Sequence, residues 1–131
     1  MRKAEAVCAD ARQRVTRLSG GVAAKIADED AAGVAAELRK GLPIADDLLG
    51  GLRALTPPRG DEGIVGDYLE VIAKQRGRIP PLVEALEAED ISTIEVLVAE
   101  LRQGNQRAKR LAEDYGFRKC GPGGSPRGMP F

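Results

Sequence analysis

A chain of 131 residues supports one domain with a modest core, and its 20 Lys+Arg against 20 Asp+Glu leave no net charge to recruit nucleic acid or an anionic membrane. Histidine and tryptophan are absent and aromatics make up 3%, so the usual haem and zinc ligand sets and the Glu-x-x-His di-iron motif are excluded, and an Ala/Leu/Val core interleaved with Arg and Glu points to packed helices.

Four helical stripes are expected in chain order. The first runs from about Arg2 through Ala4, Cys8, Ala11, Val15 and Leu18, and Val22 and Ile26 extend it beyond Gly20-Gly21. The second opens at Asp28-Glu29-Asp30, good capping chemistry, and carries Ala35, Leu38, Leu42, Ala45, Leu49 and Leu52 before TPPRG closes it. The third starts at Asp61-Glu62 with Val65, Tyr68, Ile72, Ile79, Leu82 and Leu86. The fourth follows Asp90 with Ile94, Val98, Leu101, Ala108, Ala112 and Tyr115, and Gly116 suits a left-handed cap with Phe117 folding back on Leu111 or Ala112. Pro43 and Pro80-Pro81 fall inside helices and predict kinks, since a proline removes a hydrogen bond and clashes with the preceding turn. The tail, residues 121–131 (GPGGSPRGMPF), has little to bury and is expected to be disordered, leaving residues 1–120 as the domain.

Short connections favour an all-α, up-down-up-down four-helix bundle with kinked helices. That topology brings Cys8 and Cys120 to one end. At 1.5 Å rise per residue they come within reach only if the first helix continues through Gly20-Gly21, which places Cys8 near Leu48 and Ala108. A Cys8–Cys120 disulfide is the favoured reading, with two reduced buried thiols as the alternative; a structural disulfide implies an oxidising compartment.

Gln75 and Asn105 occupy apolar slots of the third and fourth stripes, at nearly one height beside Pro43. They read as a hydrogen-bonded pair that sets register and satisfies backbone freed by the kink, or as the polar spot of a ligand cavity between the helices. Bases, among them Arg12, Arg107, Lys109 and Arg110, collect at the cysteine end, and Asp28 to Asp30 with Glu84, Glu87, Glu89 and Asp90 at the other. Helix dipoles account for much of this separation; a basic surface for an acidic partner or anionic headgroups is the functional reading. Pairs such as Asp46-Asp47 read as solvated faces. No G-x-S-x-G or phosphate-cradling loop appears, so no catalytic residues, cofactor or metal are assigned, and no DNA-recognition motif accompanies the basic residues.

AVCADARQRV, LPIADDLLGGLRALTPP and LAEDYGFRKCG together resemble a group of small actinobacterial helical proteins, exported or membrane-tethered, described as lipoproteins or without an assigned activity. The resemblance spans about residues 3 to 121. It implies a paired Cys8 and Cys120 and an N-terminal signal or anchor, and carries over no functional residues. MRKAEAVCADARQ shows neither such an anchor nor a signal peptide, so export rests on the cysteines, with a cytosolic chain as the alternative. The expectation is a monomeric, non-catalytic extracytoplasmic module for protein interaction at the cell envelope; the rival is a small-ligand-binding bundle with a cavity near Pro43, Gln75 and Asn105.

Overall fold

The computed structural model describes residues 2–57 and 59–116, and among them every regular element is helical: α1 (Arg2–Ala27), α2 (Ala31–Arg39), α3 (Gly41–Arg53), α4 (Glu62–Glu87) and α5 (Ile91–Tyr115). The α2 and α3 helices are one leg of the bundle, broken at Lys40. The break is Pro43's doing. Its missing N–H and its ring deny the carbonyl of Arg39 a helical partner, and Lys40 turns back to Glu37 O at 3.1 Å instead. Pro43 then lies in the first turn of α3, where an absent N–H costs nothing. By contrast α4 runs on through Pro80-Pro81 as one helix, as the in-phase apolar spacing implied, so it is at Pro43, where one kinked helix was expected, that the chain departs from that reading. Gly20-Gly21 do not interrupt α1 either, and Cys8 shares a hydrophobic cluster with Ala108 and Leu48.

Successive legs are antiparallel. Along the first pair, Arg14 meets Asp47 at 2.7 Å while residues nearer the start of α1 meet residues later in α3. Between the second and third legs Arg39 pairs with Glu87, and Arg76 with Asp46 at 3.0 Å. The third and fourth are joined from Gln75–Asn105 at 2.9 Å down to Tyr115–Asp61 at 2.8 Å. Glycine sets several of these approaches. A Cβ on Gly51 would lie 2.8 Å from Val7 Cγ1, and one on Gly21 2.7 Å from a Glu37 carboxylate oxygen. Two clusters fill the interior, one around Cys8, Leu52, Tyr68 and Ala112, the other around Val22, Leu38, Leu82 and Leu101.

The two halves repeat one another. Arg2 and Glu62, Ala27 and Glu87, and Ala31 and Ile91 bound equivalent helices, each pair 60 positions apart. The connecting turns match atom for atom. Glu29 and Glu89 both take φ 54°. The N–H groups of Asp30 and Asp90 reach back to Lys25 O and Ala85 O, both at 2.9 Å, while Glu29 and Glu89 bond Ile26 O and Leu86 O. This is a Schellman closure with a non-glycine residue at the left-handed position. Asp30 then accepts from Gly33 N at 2.9 Å and Asp90 from Thr93 N at 3.3 Å, each opening the next helix. The Thr93 hydroxyl, and then its N–H, hold the Asp90 carboxyl below its usual range. Cys8/Tyr68, Ala11/Val71, Val22/Leu82 and Leu52/Ala112 are buried at both equivalent positions.

A left-handed conformation costs an L side chain roughly 1 to 2 kcal/mol, a penalty glycine avoids. Glu89→Gly, and Glu29→Gly independently, are therefore expected to raise stability by about 1 kcal/mol in urea titration despite removing a side chain. A loss of stability in both would contradict the shared turn geometry.

Candidate functional site

Three groups of residues singled out by sequence can now be placed. Gln75 and Asn105 do meet across the α4–α5 interface, both half-buried. The Gln75 amide nitrogen donates to Asn105 Oδ1 at 2.9 Å and to Leu101 O at 2.8 Å. Its oxygen accepts from Arg78 Nη1, and Arg78 in turn lies 3.5 Å from Glu100. The amide that could have greeted a ligand is thus used on both sides by the protein. The backbone acceptor is Leu101 O on α5, not a group released by Pro43. Pro43 itself is exposed.

Sequence reasoning missed two members of this layer. Gly104 is buried beside Gln75, and a Cβ there would run into the Gln75 amide. Arg78 sits one turn after Gln75, and that spacing was the signal available for it. Among the described residues no buried side-chain nitrogen or oxygen lacks a partner.

The basic residues occupy exposed positions but do not form one face. Successive residues of a helix turn by about 100°. Asn105, Lys109 and Arg102 therefore lie on one flank of α5, whereas Arg107 and Arg110 point to the other side. Arg12 lies on α1, exposed. Lys109 is 3.9 Å from Glu113, an exposed pair of little energetic weight. At the opposite end the two matched turns gather Asp28, Glu29, Glu89 and Asp90, all exposed. Asp46 and Asp47 are each engaged by an arginine, Arg76 and Arg14. Among the described residues no trio of Cys, Asp or Glu is arranged to hold a metal ion. Likewise no helix there is long and apolar enough to cross a membrane.

Cys8 is buried at 2% exposure beside Ala4, Ala108 and Ala112, whereas Cys120, Phe117 and the tail 121–131 lie outside the described residues. Tyr68, in the same cluster, has its hydroxyl pKa pushed far up by burial. The Tyr115 pKa is also raised, first by its hydrogen bond to Asp61.

The least expected feature is on α1. Val15 and Ile26 continue the stripe of Cys8, Ala11 and Val22, yet they are 46% and 41% exposed. The cause is the spacing of the outer legs, since no Cα of α1 comes within 8 Å of one in α5. No family model, curated protein or solved structure matches the chain.

Replacing Gln75 alone by Leu strands Asn105 and one Leu101 lone pair and is expected to cost about 1 to 3 kcal/mol in denaturant unfolding. Replacing Gln75 and Asn105 together by Leu removes both partners and should recover most of that loss. A double change as costly as the sum of the singles would show that the pair is not one unit.

Proposed function

We propose that this chain is a non-catalytic module for protein interaction at the cell envelope. The observation that carries the reading is the exposure of Val15 and Ile26 on a stripe whose other members are core. Apolar residues held at core spacing but open to water give a partner something to bury. The separation of acidic turns from the basic residues Arg12 and Lys109 adds orientation to such an encounter. A small-ligand cavity near Pro43, Gln75 and Asn105 has less support, because the Gln75 amide is spent internally and Pro43 faces solvent.

Placement outside the cytoplasm rests on a Cys8–Cys120 disulfide. Its support is that Cys8 is fully buried, engaged rather than a free thiol, and toward the end of the bundle at which α5 finishes. Closing so long a loop stabilises by up to about 4 to 5 kcal/mol in the chain-entropy model. Alkylation of the denatured, unreduced protein should label neither cysteine, and prior reduction should expose both; two labelled thiols without reductant would defeat the pairing.

The interaction reading is tested by pull-down from an envelope extract and by co-sedimentation with anionic vesicles, each at low and high salt. Arg12→Glu with Lys109→Glu should weaken capture while leaving the melting temperature nearly unchanged, because exposed charges contribute little to stability. Equal capture by both proteins at low salt would remove the basic residues from the account.

A further inference from the structure

Cys8 of α1 and Tyr68 of α4 hold equivalent positions of the repeat and share one cluster, toward the end of the bundle at which α5 finishes. They are 2% and 5% exposed, and both are engaged. Cys8 is not a free thiol, and the chain has one other cysteine, Cys120. Tyr68 is a buried phenol, whose hydroxyl needs a partner, and the polar contacts that join the legs among the described residues do not include one for it. Around these two the surface is built of Ala4, Ala108 and Ala112, which are 8%, 3% and 1% exposed although no Cα of α1 comes within 8 Å of α5. The α1 stripe is thus covered at Ala4, Cys8 and Ala11, open at Val15, and covered again at Val22.

The chain beyond Gly116 is placed to supply the cover at the cysteine end. Gly116 takes φ 90° and closes α5 with its N–H on Ala112 O and Glu113 O. Such a left-handed cap turns the chain back and commonly sets the next residue, here Phe117, against the residue five before it, here Ala112. Returning from Gly116 to the level of Ala112 takes about 6 Å along the axis. Four extended residues reach at most about 14 Å, so the step from Gly116 to Cys120 allows that return and a crossing of about 12 Å, with no detour.

We propose that residues 117–120 recross the α1–α5 seam as a strap that seals its cysteine end, with Phe117 over Ala108 and Ala112, a strap carbonyl accepting from the Tyr68 hydroxyl, and Cys120 bonded to Cys8. The proposal rests on the disulfide reading above and adds what that bond holds in place. The occupant is the chain's own segment for three reasons. It starts one turn from the alanine surface, it carries the one cysteine that can pair with Cys8 within the chain, and it brings an aromatic ring to a surface of small residues. The strap is also a redox device. A dithiol that reduces the bond leaves two protein thiols and is itself oxidised to a disulfide; the strap then loses its tether to α1 and opens more often.

The test reads Cys8 in full-length chains under native conditions. In Cys120→Ser, Cys8 is the one thiol, and its alkylation rate reports the cover. Adding Phe117→Asp should accelerate alkylation several-fold. Phe117→Leu should not, and neither should Val96→Asp, a change at an exposed position elsewhere on α5. Tyr68→Phe should accelerate it when Phe117 is present and add nothing beside Phe117→Asp, since both act through one strap. Helicity and melting temperature of each variant separate local opening from unfolding. If Phe117→Asp leaves the Cys8 rate unchanged, the helices alone set its exposure and the strap is overturned. Thiol counting in the unreduced wild-type chain separates the two readings. Two thiols there defeat the disulfide and the strap together; no thiols with an unchanged Cys8 rate leave the disulfide standing and defeat the strap alone.

Discussion

Everything in this molecule hangs on how the two hairpins meet. Each hairpin is a local structure, its register set by a Schellman turn with Glu at the left-handed position and Asp as the next helix's cap. Neither hairpin can bury its own apolar face, so both clusters draw on all four legs, and between the hairpins it is α2 and α3 that pack closely on α4. Arg39–Glu87 and Asp46–Arg76 mark that contact at its rim. Exposed ion pairs add little energy, but they choose register and partner face. With that seam closed, the geometry of the rest follows, including the wider separation of α1 from α5.

Small residues let this arrangement hold without a large aromatic core. Gly51 accepts Val7, Gly21 accepts Glu37 and Gly104 accepts Gln75. Close helix approach replaces bulk with backbone proximity, and the interior is completed by Ala4, Ala11, Ala35, Ala108 and Ala112. A polar layer in such a core must be fully satisfied, and the chain from Glu100 through Arg78 and Gln75 to Asn105 meets that requirement.

Much of the helical frame was legible from local chemistry. Asp30, Asp90 and Gly116 mark helix ends because capping depends on a residue and its immediate neighbours. The continuation of α1 through Gly20-Gly21 was legible too, because the apolar spacing stays in phase. Other features were not local. Periodicity shows that Val15 and Ile26 share a stripe with Cys8, but not whether another helix arrives to cover them. Pro43 and Pro80-Pro81 look alike in sequence, yet one ends a helix and the other does not. The repeat itself is hidden because it conserves burial, turn geometry and length while pairing Cys8 with Tyr68 and Leu52 with Ala112. Side-chain size is exchanged across the core, so identity is lost where geometry is kept.

The central claim is that the hairpins close on one another between α2–α3 and α4 but stand further apart between α1 and α5, leaving Val15 and Ile26 in water. Paramagnetic relaxation of methyl groups by a soluble gadolinium chelate reads this directly on the intact, dilute protein. Methyls of Val15, Ile26 and Ile91 should relax strongly, while those of Val22, Val34 and Leu82 should be protected. If Val15 and Ile26 are as protected as Val22, then α1 and α5 close on one another in solution and the account is wrong.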